Sequence, residues 1–173
     1  MKIVILNGSP RENGSTSKMI QAFTEGAEES GNEVITLNVG RMNIAGCRGC
    51  EYCHTNGNGN CIQRDDEEQV YRALKEAEML ILASPIYYFT LTAQLQAAIH
   101  RTYAIGIPPK VRQTALFLSS GSPDVYNPAI NQYRYSIVDY FKVKDLGVIT
   151  VNETDNKVED NFKKILEFGR SIH

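Results

Sequence analysis

All four cysteines of this 173-residue chain fall between Gly46 and Cys61, with the spacing C-x2-C-x2-C-x7-C. Three thiolates this close together wrap one corner of an iron–sulfur cubane, and a fourth from further along completes it. Cys47, Cys50, Cys53 and Cys61 fit a [4Fe–4S] ligand set, and Gly46, Gly49, Gly57 and Gly59 leave the loop free to fold around it. Cysteines without a cluster, as disulfides, redox-active thiols or plain thiols, stand level with that reading. Zinc ranks behind, because two separated C-x2-C pairs are its commoner four-thiolate design. His54, beside Cys53, reads as a solvated loop residue, since four thiolates already suffice.

A second constellation lies near the N-terminus. The apolar run from Lys2 to Leu6 leads into Gly8-Ser9-Pro10-Arg11-Glu12-Asn13-Gly14-Ser15-Thr16-Ser17. Free N–H groups at a helix start attract an anion, and hydroxyls add donors without adding charge. Ser9, Ser15, Thr16 and Ser17 supply hydroxyls, and Arg11 is placed to close over a phosphate. A helix capped by Ser15 or Thr16 with nothing bound is the plainer alternative. The phosphate reading leads because ligands of such sheets gather at the carboxyl ends of the strands, at the switch point. The loop is neither a Walker A loop nor GxGxxG.

A third segment follows another apolar run. Pro85, Ile86, Tyr87, Tyr88 and Phe89 offer a flat apolar wall and backbone amides to a planar ring such as a flavin. Aromatic cover over a strand end is the competing reading. Ser120 and Gly121, in Ser119-Ser120-Gly121-Ser122-Pro123, are expected to close the ring's other side, though this sequence would form a turn in any case.

These loops need a scaffold, and alternating apolar runs and helical periods supply one. Strands are expected at residues 2–6, 34–37, 79–83, 114–118 and 146–151. Helices are expected at 15–30, from the acidic run Asp65-Asp66-Glu67-Glu68 onward, and at 93–103, 126–140 and 160–172. Acidic residues in a first turn suit the helix dipole. The alternation predicts an α/β fold: a doubly wound, five-stranded parallel sheet in the order 2-1-3-4-5, helices on both faces. Eighteen basic against twenty acidic residues leave a net charge of −2, which argues against a nucleic-acid surface. No apolar run approaches a membrane span. The opening MKIVILNGSP carries no signal peptide, so a reducing cytoplasm is the expected compartment.

GSPRENGST followed by a helix resembles the GSPR-x-x-GNT loop of the NAD(P)H-dependent FMN reductases and iron–sulfur flavoproteins of the flavodoxin-like superfamily. Ser15 stands where that family often has Asn. The segment from Ser84 to Leu95 is similar to the family's SP-x-Y-x-x-x-x-x-A-Q-L-K, and His100-Arg101-Thr102-Tyr103 to its D-R-T-Y/F, with His100 in place of the usual Asp. The cysteine segment resembles the compact motif of the iron–sulfur flavoproteins, which carry a [4Fe–4S] cluster near FMN. Cluster-free relatives also run a Cys-rich loop into an Asp pair, as Asp65-Asp66 does here.

The resemblance implies one flavodoxin-like FMN-binding domain over residues 1–173, with a cysteine-rich loop at 46–64. It implies FMN rather than FAD, NAD(P)H as a transient donor, and a small acceptor such as a quinone, or a redox carrier. The flavin carries the chemistry, so no catalytic acid or base is named. A homodimer or homotetramer is expected, with the tyrosine-rich stretch from Tyr126 to Tyr140 at the interface. Two alternatives are an electron-transfer flavoprotein without its own substrate, poorly served by a charge of −2, and a non-catalytic binding module.

Overall fold

The computed structural model describes residues 1–154 and 158–173. Its strands are β1 (Lys2–Asn7), β2 (Glu33–Leu37), β3 (Met79–Pro85), β4 (Gln113–Ser120) and β5 (Lys144–Asn152). They form one parallel sheet in the order β2-β1-β3-β4-β5. The helices are α1 (Ser15–Glu29), α2 (Glu67–Glu76), α3 (Ala93–Arg101), α4 (Asn127–Tyr133) and α5 (Val158–Arg170). This is the flavodoxin-like arrangement expected from the pattern.

Successive strand residues point to opposite faces, so each central strand feeds two cores. Val4, Leu6, Leu80, Leu82, Leu116 and Leu118 pack under one helical layer, with Val70 and Leu74 of α2 and Leu95 of α3. Ile3, Ile5, Met79, Ile81, Ala115 and Phe117 pack under the other, with Phe23 of α1 and Ile165 of α5. Phe23 meets Phe117 edge-on at 5.4 Å and Phe168 at 5.7 Å. Helices α1 and α5 touch backbone to backbone at Gly26 and Gly169. A Cβ on Gly26 would run into the Leu166 carbonyl, and one on Gly169 into the Phe23 carbonyl.

Three element expectations need correction. The stretch expected as one helix to Tyr140 is α-helical only to Tyr133, and Arg134–Asp139 widens into a π-helical turn. Ser136 Oγ donates to the Gln132 carbonyl there, at 2.6 Å, and such back-bonding competes with regular helix. The helix from Ala93 stops at Arg101 and tightens into a 3₁₀ turn, Thr102–Ala104, where Thr102 Oγ1 donates to the Ile99 carbonyl. The helix expected from Asp65 starts at Glu67, because Asp65 and Asp66 bond elsewhere.

Candidate active site

The carboxyl ends of β1, β3 and β4 surround a cleft of about 230 Å³. Its floor is the turn after β1. Asn7 shapes that turn: its Oδ1 accepts from Ser9 N at 2.9 Å, and its Nδ2 donates to Asn38 Oδ1 at 2.9 Å. Gly8 lies under Thr92, whose hydroxyl donates to the Gly8 carbonyl, and a Cβ at Gly8 would strike that side chain. The N-cap of α1 is Gly14, with no side-chain cap. The first-turn amides are therefore left for an anion.

The four predicted hydroxyls divide in two. Ser9 is buried and hydrogen-bonds the Arg11 backbone at 3.2 Å. Thr16 is buried and shares a 2.8 Å bond with Ser119 Oγ, fastening α1 to β4. Ser15 stands at the rim and donates to Glu153 Oε1 at 2.8 Å. Ser17 does not line the cleft, and its hydroxyl donates to the Arg11 carbonyl. Arg11 lines the cleft, and also a second cavity of about 530 Å³ outside it, with Lys18 and Glu153.

The side wall is the loop after β3. Pro85, Ile86 and Tyr87 line the cleft, and Ser120 and Gly121 face them. Ile86 N is already bonded to the Ser119 carbonyl at 2.8 Å. Tyr88 and Phe89 do not line the cleft. Tyr88 is 97% exposed and Phe89 55%. Both have positive φ, 48° and 64°, in a tight turn closed by reciprocal Tyr87–Thr90 backbone bonds of 3.1 Å. Bulky L-residues rarely adopt that conformation, so this turn stores strain beside the cleft.

The cysteine loop is clamped at its neck. Asn43 and Asp66 are paired: Asn43 N donates to Asp66 Oδ2 at 2.8 Å, and Asp66 N donates to the Asn43 carbonyl. Asp65 accepts from Ala45 N and from both terminal nitrogens of Arg101, at 2.8 and 3.1 Å. Arg101 Nη1 also donates to the Ala45 carbonyl. Burial pushes Asp65 up, but the Arg101 bonds and the Ala45 and Glu67 amides outweigh it and hold this carboxyl below its ordinary range. Glu67 differs. It is fully buried, neither carboxyl oxygen has a partner among the described residues, and burial pushes it up to about 9 despite Arg101. The acidic start of α2 is thus not a uniform dipole-matching run, since burial disfavours the charged form of Glu67.

All four cysteines line one small pocket, with Arg101 and Tyr103 in its wall, and all are free thiols. Burial, then the neighbouring Cys61, Glu51 and Cys47, push the Cys53 thiol up. Among the described residues no three His, Cys, Asp or Glu side chains converge on a single-ion site. His54 is exposed, as expected of a loop residue, and also contacts Tyr103. Its Nε2 lies 2.9 Å from the Tyr103 carbonyl, and its ring packs edge-on to Tyr103 at 4.5 Å. Beyond Tyr103 opens an apolar groove of about 600 Å³, walled by Ile99, Tyr135, Ile137, Tyr140 and Phe141.

The family model of NADPH-dependent FMN reductase matches residues 1–155. The chain belongs to the NADPH-dependent FMN reductase family. An iron-sulfur flavoprotein of Archaeoglobus fulgidus is 32% identical over 179 aligned residues, covering 99% of this chain and 79% of that protein. One from Methanosarcina thermophila is 33% identical over 102 residues, 59% of this chain and 52% of that protein. Against that relative the match spans about half the length. Among solved structures, an NAD(P)H:quinone oxidoreductase from Methanothermobacter marburgensis shares the fold with TM-score 0.77. It is 20% identical, with 100% of this chain and 97% of that one covered. An FMN-dependent NADH-azoreductase from Bacillus anthracis, in complex with FMN, has TM-score 0.70 at 15% identity, with 97% of each chain covered.

For this member of the FMN reductase family, sequence reasoning missed three site residues. Arg101 enters only within the His100-Arg101-Thr102-Tyr103 resemblance and Asn7 lies just past the expected strand, so neither is given a role at the site. Glu153 gives no signal, because only the fold brings β5 to Ser15, which is 138 positions away.

Proposed function

We propose that this oxidoreductase-family chain acts throughout as one FMN-binding domain, taking hydride from NAD(P)H and passing electrons to a small acceptor such as a quinone. The observation that carries this is the cleft itself. An uncapped helix start with Arg11 at its floor meets the apolar wall Pro85–Ile86–Tyr87 and the Ser120–Gly121 turn. When bound, FMN supplies hydride acceptance at its ring and release of one or two electrons. The chain supplies position. First-turn amides of α1 and Arg11 hold the phosphate, and Ser15 adds a hydroxyl. The β3 loop covers one side of the ring and the β4 loop the other. A single anion nest without a dinucleotide fingerprint favours FMN over FAD.

We read the cysteine pocket as a [4Fe–4S] site, since four free thiols share it and relatives of this chain are named iron-sulfur flavoproteins. Cys47, Cys50, Cys53 and Cys61 would be the ligands, and a bound cubane supplies one-electron transfer. A reducing cytoplasm suits such thiols. The apolar groove lined by Tyr135 and Tyr140 is the face we assign to pairing in a homodimer or homotetramer.

One experiment tests both sites. Protein reconstituted anaerobically with FMN, iron and sulfide is desalted, and its spectrum, released cofactor mass, iron and labile sulfide are measured. FMN retained with about four iron and four sulfide per chain is expected. FMN without iron leaves a cluster-free reductase. A colourless protein retaining neither overturns the reading.

A further inference from the structure

Glu153 stands just beyond β5, and its carboxylate accepts a hydrogen bond from the Ser15 hydroxyl at 2.8 Å. Its backbone is fixed there by a 2.8 Å bond from Glu153 N to the Ser120 carbonyl. The residue therefore belongs to two walls of the cleft at once: the helix start that attracts anions and the loop after β4. A serine hydroxyl has one proton to donate. It cannot serve a carboxylate and a phosphate together. A negative side chain at a helix N-terminus also uses the field that an anionic ligand would use.

On the outer side, Glu153 shares the larger cavity with Arg11 and Lys18. Neither cation forms an ion pair among the described residues. Burial, and then the Glu153 charge, hold the Tyr126 hydroxyl above its ordinary pKa.

We infer that Glu153 sets the affinity of the cleft for phosphorylated flavin: its carboxylate competes with the FMN phosphate for the Ser15 hydroxyl and for the field at the start of α1. The inference rests on the FMN reading of the cleft. It makes Glu153 a specificity-determining residue, since the competition penalises a phosphate monoester and leaves the flavin ring untouched.

Dissociation constants for FMN and for riboflavin, measured by flavin fluorescence in wild type and Glu153→Gln, test it. The amide keeps the shape and a hydrogen-bond acceptor but removes the charge. FMN should bind about five- to tenfold tighter to Glu153→Gln, with riboflavin unchanged, a size set by one charge pair at a solvent-exposed contact. An FMN-to-riboflavin affinity ratio within about twofold of wild type, which is below a half kilocalorie, overturns the inference while the flavin reading stands. If FMN binds neither protein, the flavin reading fails first and takes this inference with it.

Discussion

Glu67 shows how one buried carboxyl ties this fold to pH. Its pKa is about 9 in the folded chain, against 4.5 ordinarily. Between those values the folded state keeps a proton that the unfolded chain has lost. The unfolded state binds fewer protons, so stability falls as pH rises through that window. The contribution is fully present below the unfolded value and is lost progressively towards pH 9. The slope is at most about 1.4 kcal/mol per pH unit. Glu67→Gln removes the titration, so its urea midpoint should change less than that of wild type between pH 6 and 8. The two proteins should differ most at the higher pH, the variant being the more stable. Equal pH slopes would show that Glu67 is not protonated in the folded state.

At the scale of elements, the strained turn at Tyr88 and Phe89 stands out. Two consecutive positive φ values are the geometry that Asn-Gly satisfies without strain. Replacing Tyr88 by Asn and Phe89 by Gly should raise stability by about 1–2 kcal/mol, read as a higher thermal midpoint. Neither side chain is buried, so little packing is lost. A lowered midpoint would mean the aromatics pack in a way their exposure conceals.

Much of this scale was readable beforehand. The strand order and the strand–loop–helix junctions that make the cleft follow from uninterrupted apolar runs alternating with helical periods. The π-helical turn at Arg134–Asp139 was not readable, because periodicity cannot separate a 3.6-residue turn from a wider one over six residues. The aromatic loop was read as a wall, but only Tyr87 of its three aromatics faces the cleft. Backbone turn geometry decides that, and side-chain chemistry does not report it.

At the scale of the molecule, the apolar groove presents an exposed aromatic face. Tyr135 is 74% exposed and Tyr140 63%, on the same face as Ile137 and Phe141. Tyr135→Glu places a charge in that face without touching either core. Sedimentation should show wild type as a dimer or larger and the variant shifted towards monomer, with FMN binding kept. A wild type that sediments as a monomer would return the groove to ordinary surface. The phosphate loop and the cysteine loop could be read from local sequence because each is contiguous. Asn7 with Asn38, Ser15 with Glu153, and Asp65 with Arg101 could not, since each pair meets only after the sheet has formed.

The clamp at the base of the cysteine loop has a consequence for how such a protein can change over evolutionary time. Asn43 and Asp66 already lie side by side through paired backbone and carboxylate bonds. The residues between them form a detachable handle whose two roots touch. Shortening or exchanging the handle leaves β2, α2 and the sheet in register. The obstacle is Arg101, 1% exposed, whose counter-charge Asp65 sits at one of those roots. A lineage that discards the handle together with Asp65 strands a cation in the interior, which costs several kcal/mol. Loss of the cysteines alone is therefore easy. Loss of the whole handle requires a second, apolar replacement at Arg101, and the two changes should be inherited together.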